Sequence, residues 1–269
     1  MNDNFKKQVT LNYEGQEIYC QINGLGEELL IAFPGYGSTV DYYDPALPIL
    51  AKKFTLWIID LPLHGKTKWN KPLFTINDFT KIIQLVLQRA GHLKFSLLGH
   101  SFGGRAVLTQ IPLFGSQLNQ VLLLAPDGIK NPGLMTVSWI PGSFRRITSG
   151  WVEQAHRILP LAEWLHRHKW IAPKTYTFAE FYLKTSARRQ QVKMYWISLA
   201  DFQVDLPKLK ETIESQNIPI SIFVGLRDKI IPIEVAKILK DKIGPLVQII
   251  ETDTGHMMKG GAVLELIDL

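Results

Sequence analysis

Apolar positions along the chain follow two successive patterns. From Gln8 to Asn23 they fall at Val9, Leu11 and Tyr13, then at Ile18, Tyr19 and Ile22, with Glu14-Gly15-Gln16 between, and this predicts a hairpin. After it come short, largely apolar runs, the first of them wholly so. Leu29–Phe33, Phe54–Asp60, Phe95–Leu98, Leu118–Ala125, Ile218–Val224 and Leu246–Ile250 read as strands covered on both faces. Helical periodicity lies between these runs. It is clearest over Ile76–Arg89, with apolar residues at 76, 79, 82, 83, 86 and 87 on one face. Further helices are predicted over Arg105–Gln110, Ile233–Ile243 and Ala262–Leu269, and over Asp41–Lys53, whose regular portion comes late because of Pro45 and Pro48.

Strands that alternate with helices imply an α/β chain with a mostly parallel, doubly wound sheet. The rhythm lapses at Pro126. From about 130 to 216 no short apolar strand occurs, and Gly150–Arg157, Ala162–Lys169, Thr177–Thr185 and Arg188–Ala200 read as short helices. The expected organisation is a core of residues 1–129 and 217–269, interrupted by a helical cap over 130–216. Such a cap is expected over the carboxyl ends of the strands, where sheets of this kind bind ligands.

Composition narrows the class. With 46% hydrophobic and 20% charged residues in 269, the chain can bury one substantial core. No apolar run approaches the ~18 residues that a membrane span requires, and the polar start, Met1 to Lys7, lacks a hydrophobic signal core. A cytoplasmic protein without membrane insertion is expected. The single cysteine, Cys20, excludes an internal disulfide and reads as a small buried strand residue. The net charge of +6 resides in 130–216, which carries 13 Lys/Arg against 7 Asp/Glu; five of the seven tryptophans lie there too. No nucleic-acid motif accompanies this surplus, so no nucleic-acid partner is expected.

The candidate chemistry begins at Gly99-His100-Ser101-Phe102-Gly103, a Gly-x-Ser-x-Gly that follows an apolar run and precedes a helix. That context is a nucleophile elbow, where small flanking residues permit a very sharp turn. A serine hydroxyl needs a base to take its proton, and the base needs a carboxylate to hold its tautomer. Among seven histidines, His256 lies in a loop just after the last predicted strand. Asp228, beyond the strand ending at Val224, is the expected acid; Asp127, beyond Ala125, is the rival. An oxyanion needs donors. The backbone N–H of Phe102 comes with the elbow, and that of Tyr36, in the loop Pro34–Thr39, is the expected second.

Four stretches, in order, resemble the α/β-hydrolase fold family: Asp60-Leu61-Pro62-Leu63-His64-Gly65-Lys66-Thr67, the elbow, Gly225-x-x-Asp228-x-x-x-Pro232, and Gly255-His256. The order Ser101, Asp228, His256 is the order of that family. The resemblance implies a serine hydrolase that needs no metal or organic cofactor and acts on a small ester, thioester or related acyl compound. The aromatic cap implies a hydrophobic part in that substrate, and its basic surplus raises an anionic leaving group, with Arg188 and Arg189 as candidate contacts. A C–C bond hydrolase, a lyase or a cofactor-free perhydrolase would use the same residues, and a ligand receptor could retain them. Two departures stand out. Pro34-Gly35 replaces the usual His-Gly, and Leu63 replaces a glycine; His64 is expected to be structural.

Overall fold

The computed structural model describes residues 6–128, 142–198, 201–259, 261 and 264. Strands β1 (Lys6–Tyr13) and β2 (Gln16–Asn23) form the expected hairpin. Its two-residue connection places Glu14 at φ 47° and Gly15 at φ 78°, the twist that tight hairpins favour. The other strands are β3 (Glu28–Phe33), β4 (Phe54–Ile59), β5 (Phe95–His100), β6 (Leu118–Leu124), β7 (Ile220–Gly225) and β8 (Val247–Thr252).

They form one eight-stranded sheet in the order β1-β2-β4-β3-β5-β6-β7-β8. Pairing is antiparallel at β1–β2 and β2–β4 and parallel from β4 to β8. The wholly apolar runs therefore became interior strands: Leu29–Phe33, Leu97–Leu98 and Val121–Leu124 are each fully buried.

Helices alternate with these strands as expected. A 3₁₀ segment, Val40–Ala46, leads into α1 (Leu47–Lys53), with Pro45 closing the one and Pro48 opening the other. Helix α2 (Ile76–Ala90) buries Phe79, Ile82, Ile83 and Val86, the face read from its periodicity. Helix α3 (Phe102–Phe114) follows the elbow. The helices of the middle stretch are α4 (Gly142–Gln154), α5 (Leu159–Arg167), α6 (Pro173–Leu183), α7 (Ser186–Ser198) and α8 (Leu206–Gln216), and α9 (Ile233–Ile243) precedes β8. The expected helix over 262–269 lies outside the described residues apart from Leu264, which is buried.

Two compact units result. One comprises 1–70, 76–136 and 202–269; the other comprises 71–75 and 137–201. Helix α8 packs on α3 and α9 and so belongs with the sheet, although it lies inside the stretch read as the insertion. Its ends carry local signals: the Asp205 side chain accepts the Lys208 N–H, Pro207 sits in the first turn, and Asn217 closes the helix at φ 52°. The second unit has a core of its own in which α4 packs on α7. Arg145 is fully buried there beside the Trp196 ring, and Trp196 Nε1 donates to Thr148 Oγ1 at 2.9 Å.

Candidate active site

The elbow between β5 and α3 holds Ser101 at φ 50°, ψ −116°, a conformation that costs an L-residue on the order of 1–3 kcal/mol. Three main-chain bonds keep it there. The Ser101 N–H donates to the Leu124 carbonyl at 2.9 Å, and its carbonyl accepts the N–H groups of Arg105 at 3.0 Å and Asp127 at 3.2 Å. The flanking glycines are sterically required: a Cβ on Gly103 would lie 2.3 Å from the Phe33 carbonyl oxygen, and one on Gly99 would lie 2.7 Å from the Gly103 main chain.

Loops after β7 and β8 bring the other two expected residues to Ser101. His256 Nε2 lies 3.0 Å from Ser101 Oγ, and His256 Nδ1 lies 2.8 Å from Asp228 Oδ2. The second contact makes Nδ1 the protonated nitrogen, leaving Nε2 to accept the serine proton. The Asp228 carboxyl is fully shielded from solvent. Its other oxygen accepts the N–H groups of Ile230 at 2.8 Å and Ile231 at 3.0 Å. Burial alone would raise the Asp228 pKa; the His256 bond and the two backbone donors outweigh it and hold the carboxyl below its usual value. It is therefore ionised at neutral pH.

The rival acid is engaged elsewhere. Asp127 Oδ2 pairs with the Arg105 guanidinium at 2.8 Å, and Oδ1 accepts the N–H of Gly128 at 2.6 Å. Arg105, one turn into α3, has a fully buried side chain, so the pair braces the elbow from below.

The Pro34–Thr39 loop passes beside the serine, since a Cβ on Gly35 would lie 3.1 Å from Ser101 Cβ. Of the expected donors, Phe102 opens α3 directly after Ser101, and Tyr36 follows Gly35 in this loop. Asp60 ties the loop to the stretch after β4: Oδ1 accepts the Val40 N–H at 2.7 Å and Oδ2 the Lys66 N–H at 2.8 Å. Burial raises the Asp60 pKa even so, with these donors opposing. His64 makes a second tie, accepting the Gly37 N–H on Nε2 at 2.7 Å.

Two residues without a sequence-assigned role anchor the His256 loop. His100 Nε2 donates to the His256 carbonyl at 2.9 Å, and Tyr42 donates to the Met257 carbonyl at 3.0 Å. The two rings stack with centroids 4.4 Å apart. Burial lowers the His100 pKa to about 4, so it is neutral. A histidine ending an apolar strand next to the nucleophile was a readable signal; Tyr42 had none. Arg188 and Arg189 both donate to main-chain carbonyls. Arg188 donates to the Phe181 carbonyl at 2.7 Å, and Arg189 to those of Leu183 at 2.7 Å and Lys184 at 3.0 Å. Both thus cap the C-terminal end of α6.

A serine in an elbow, a histidine behind it and a buried carboxylate behind that, all at the carboxyl ends of parallel strands, define the α/β-hydrolase class. A family model described as the alpha/beta hydrolase family matches residues 29–258, and the chain belongs to that family. A hydrolase of Bacillus subtilis (strain 168), YugF, itself uncharacterised, is 22% identical over 250 residues, covering 91% of this chain and 89% of the relative. Among solved structures, the thioesterase domain of the curacin biosynthetic pathway superposes with a TM-score of 0.69 at 15% identity, covering 98% of both chains. A thermophilic esterase from Thermogutta terrifontis gives 0.66 at 17%, covering 97% of this chain and 95% of the esterase. The enol-lactonase of Burkholderia xenovorans LB400 gives 0.64 at 17%, covering 96% and 95%. These likenesses establish a shared fold. Among the described residues no helix is long and apolar enough to cross a membrane.

Proposed function

We propose that the protein is a serine hydrolase that cleaves a small ester, thioester or lactone through an acyl-enzyme. The observation that carries this reading is the continuous relay from Asp228 Oδ2 through both nitrogens of His256 to Ser101 Oγ, at 2.8 and 3.0 Å. His256 takes the serine proton as Oγ attacks the acyl carbon, and Asp228 stabilises the imidazolium that forms. The N–H groups of Phe102 and Tyr36 receive the charge that develops on the carbonyl oxygen. His256 then protonates the leaving group, and water, deprotonated by the same imidazole, releases the acid. The thioesterase, esterase and lactonase among its structural neighbours share an acyl carbon bonded to oxygen or sulfur, which supports this class over C–C cleavage.

A fluorophosphonate probe tests the nucleophile directly. Wild type should gain one adduct, mapped to Ser101 by peptide mass, and Ser101→Ala none. Unlabelled wild type would overturn the assignment and favour a ligand-binding role for the same pocket residues. Turnover of p-nitrophenyl esters of graded chain length, set against acyl-thioesters, then separates the substrate classes.

A further inference from the structure

His64 lies in the loop after β4, outside the relay of Asp228, His256 and Ser101. Its ring is almost fully buried and bridges two loops. Nδ1 lies 2.9 Å from the Pro62 carbonyl, so Nδ1 carries the proton, and Nε2 accepts the Gly37 N–H at 2.7 Å. The Tyr36 ring meets the His64 ring edge-on, with centroids 5.5 Å apart. One imidazole therefore contacts both residues that share the Tyr36–Gly37 peptide.

That peptide lies at the centre of a tight turn. The Ser38 N–H closes on the Gly35 carbonyl at 3.1 Å, and Gly37 takes the third position at φ 81°, where glycine is favoured. Such a turn can exchange with an alternative by rotation of its central peptide, and that rotation would swing the Gly37 N–H away from His64. Loss of that acceptor would loosen the whole Gly35–Ser38 turn, and a rearrangement that also turns the Gly35–Tyr36 peptide would re-aim the Tyr36 N–H. A second feature points the same way. Leu63, immediately before His64, sits at φ 58°, a left-handed conformation that costs a leucine about 1 kcal/mol or more. Strain of this kind persists only where the surroundings impose it, and here it sets the direction in which His64 leaves the chain.

We infer that His64 is a positioning residue for the oxyanion hole, locking the Pro34–Ser38 turn so that the Tyr36 N–H stays aimed at the reacting carbonyl. The loop has proline and not histidine at position 34, and the side-chain contact to its turn comes from His64, at a different strand end. This inference rests on the reading of Ser101 as nucleophile and the Tyr36 amide as an oxyanion donor.

The experiment compares three substitutions at His64, with kcat and KM for a p-nitrophenyl ester measured separately. Gln places its amide oxygen where Nε2 stands and can still accept the Gly37 N–H; Asn reaches only as far as Nδ1; Leu removes the acceptor. His64→Asn and His64→Leu should lose about tenfold or more in kcat with KM within about twofold, since a misaimed donor weakens the transition state more than the ground state. His64→Gln should stay within about threefold of wild type. Asn and Gln variants of equal kcat would overturn the proposal, and the two polar variants keep the comparison valid if Leu fails to fold. Labelling of wild type by the fluorophosphonate probe separates the two hypotheses: no labelling refutes the nucleophile itself, whereas labelling with an unchanged kcat in His64→Asn refutes only the role of His64.

Discussion

His100 donates its Nε2 proton to the carbonyl oxygen of His256 at 2.9 Å, across 156 residues of sequence. The residue preceding the serine thus holds the main chain of the residue that hydrogen-bonds the serine. Replacing His100 with Phe keeps a flat ring for Tyr42 to stack on and deletes the donor. The His256 loop should loosen, and kcat/KM should fall roughly ten- to a hundredfold, the scale set by small misplacements of reacting groups. Tyr42→Phe, which keeps the ring and loses the bond to Met257, should show a smaller drop in the same assay.

The two candidate acids should respond in opposite ways. Asp228→Asn removes the carboxylate that sets the His256 tautomer, so turnover should fall on the order of 10³–10⁴-fold with the fold intact. Asp127→Asn leaves that relay alone but removes the charge paired with the buried Arg105 guanidinium. It should cost on the order of 1–3 kcal/mol of stability, seen as a lower urea midpoint. Large loss of turnover in a folded Asp127→Asn with a near-normal Asp228→Asn would reverse the assignment.

Stability should depend on acid in two stages. Burial lowers the pKa of both His64 and His100 from 6.5 to about 4. The unfolded chain takes up these protons as pH falls through 6.5, and the folded protein does not until about 4. Their contribution is therefore complete above pH 6.5 and lost between 6.5 and 4, at most about 3 kcal/mol for each histidine. Asp228 acts in the lower window. Its folded value lies below 3.8, so its contribution is present above 3.8 and disappears as pH falls through the folded value. Urea midpoints at pH 7, 5.5 and 4 should fall steadily in wild type, and much less in the His64→Gln, His100→Phe double variant; an equal fall in both would contradict this account.

Gly103→Ala places a methyl group 2.3 Å from the Phe33 carbonyl oxygen, and backbone stands on both sides of the contact. Neither side has a rotamer to change. The substitution should lower the thermal midpoint by many degrees or prevent folding, whereas Ser101→Ala, at the same turn, should leave the midpoint near that of wild type, because alanine keeps the same Cβ and brings no new atom into the turn.

What could be read from the chain was local. The strands at 29–33 and 121–124 announced themselves because burial on both faces demands unbroken apolar runs, and Ser101 did so because an elbow needs its glycines within two residues. Asp228 and His256 followed from positions just beyond strand ends. Helix α8 escaped notice because its apolar positions, Leu209 and Ile213, are few; only Asp205, Pro207 and Asn217 marked it. The supporting partners were illegible for a different reason. His64–Gly37, Tyr42–Met257 and Arg105–Asp127 join segments 22 to 215 residues apart, and no periodicity encodes which loop will meet which. The pairing of Asp127 with Arg105 could not be read either, since no pattern in α3 foretold the burial of that side chain.

The sheet order also sets a sequence of events. Ser101 follows β5, but its partner His256 follows β8, and β6 and β7 stand between them in the sheet. The serine and histidine are 155 residues apart, among the most distant pairings in the chain and thus late to close during folding. A chain still emerging during synthesis carries its serine and both flanking glycines long before it possesses a base. On the proposed reading, reactivity of Ser101 is therefore a completion signal: it would switch on only when β8 has docked, and a serine-directed probe added during refolding would time that step.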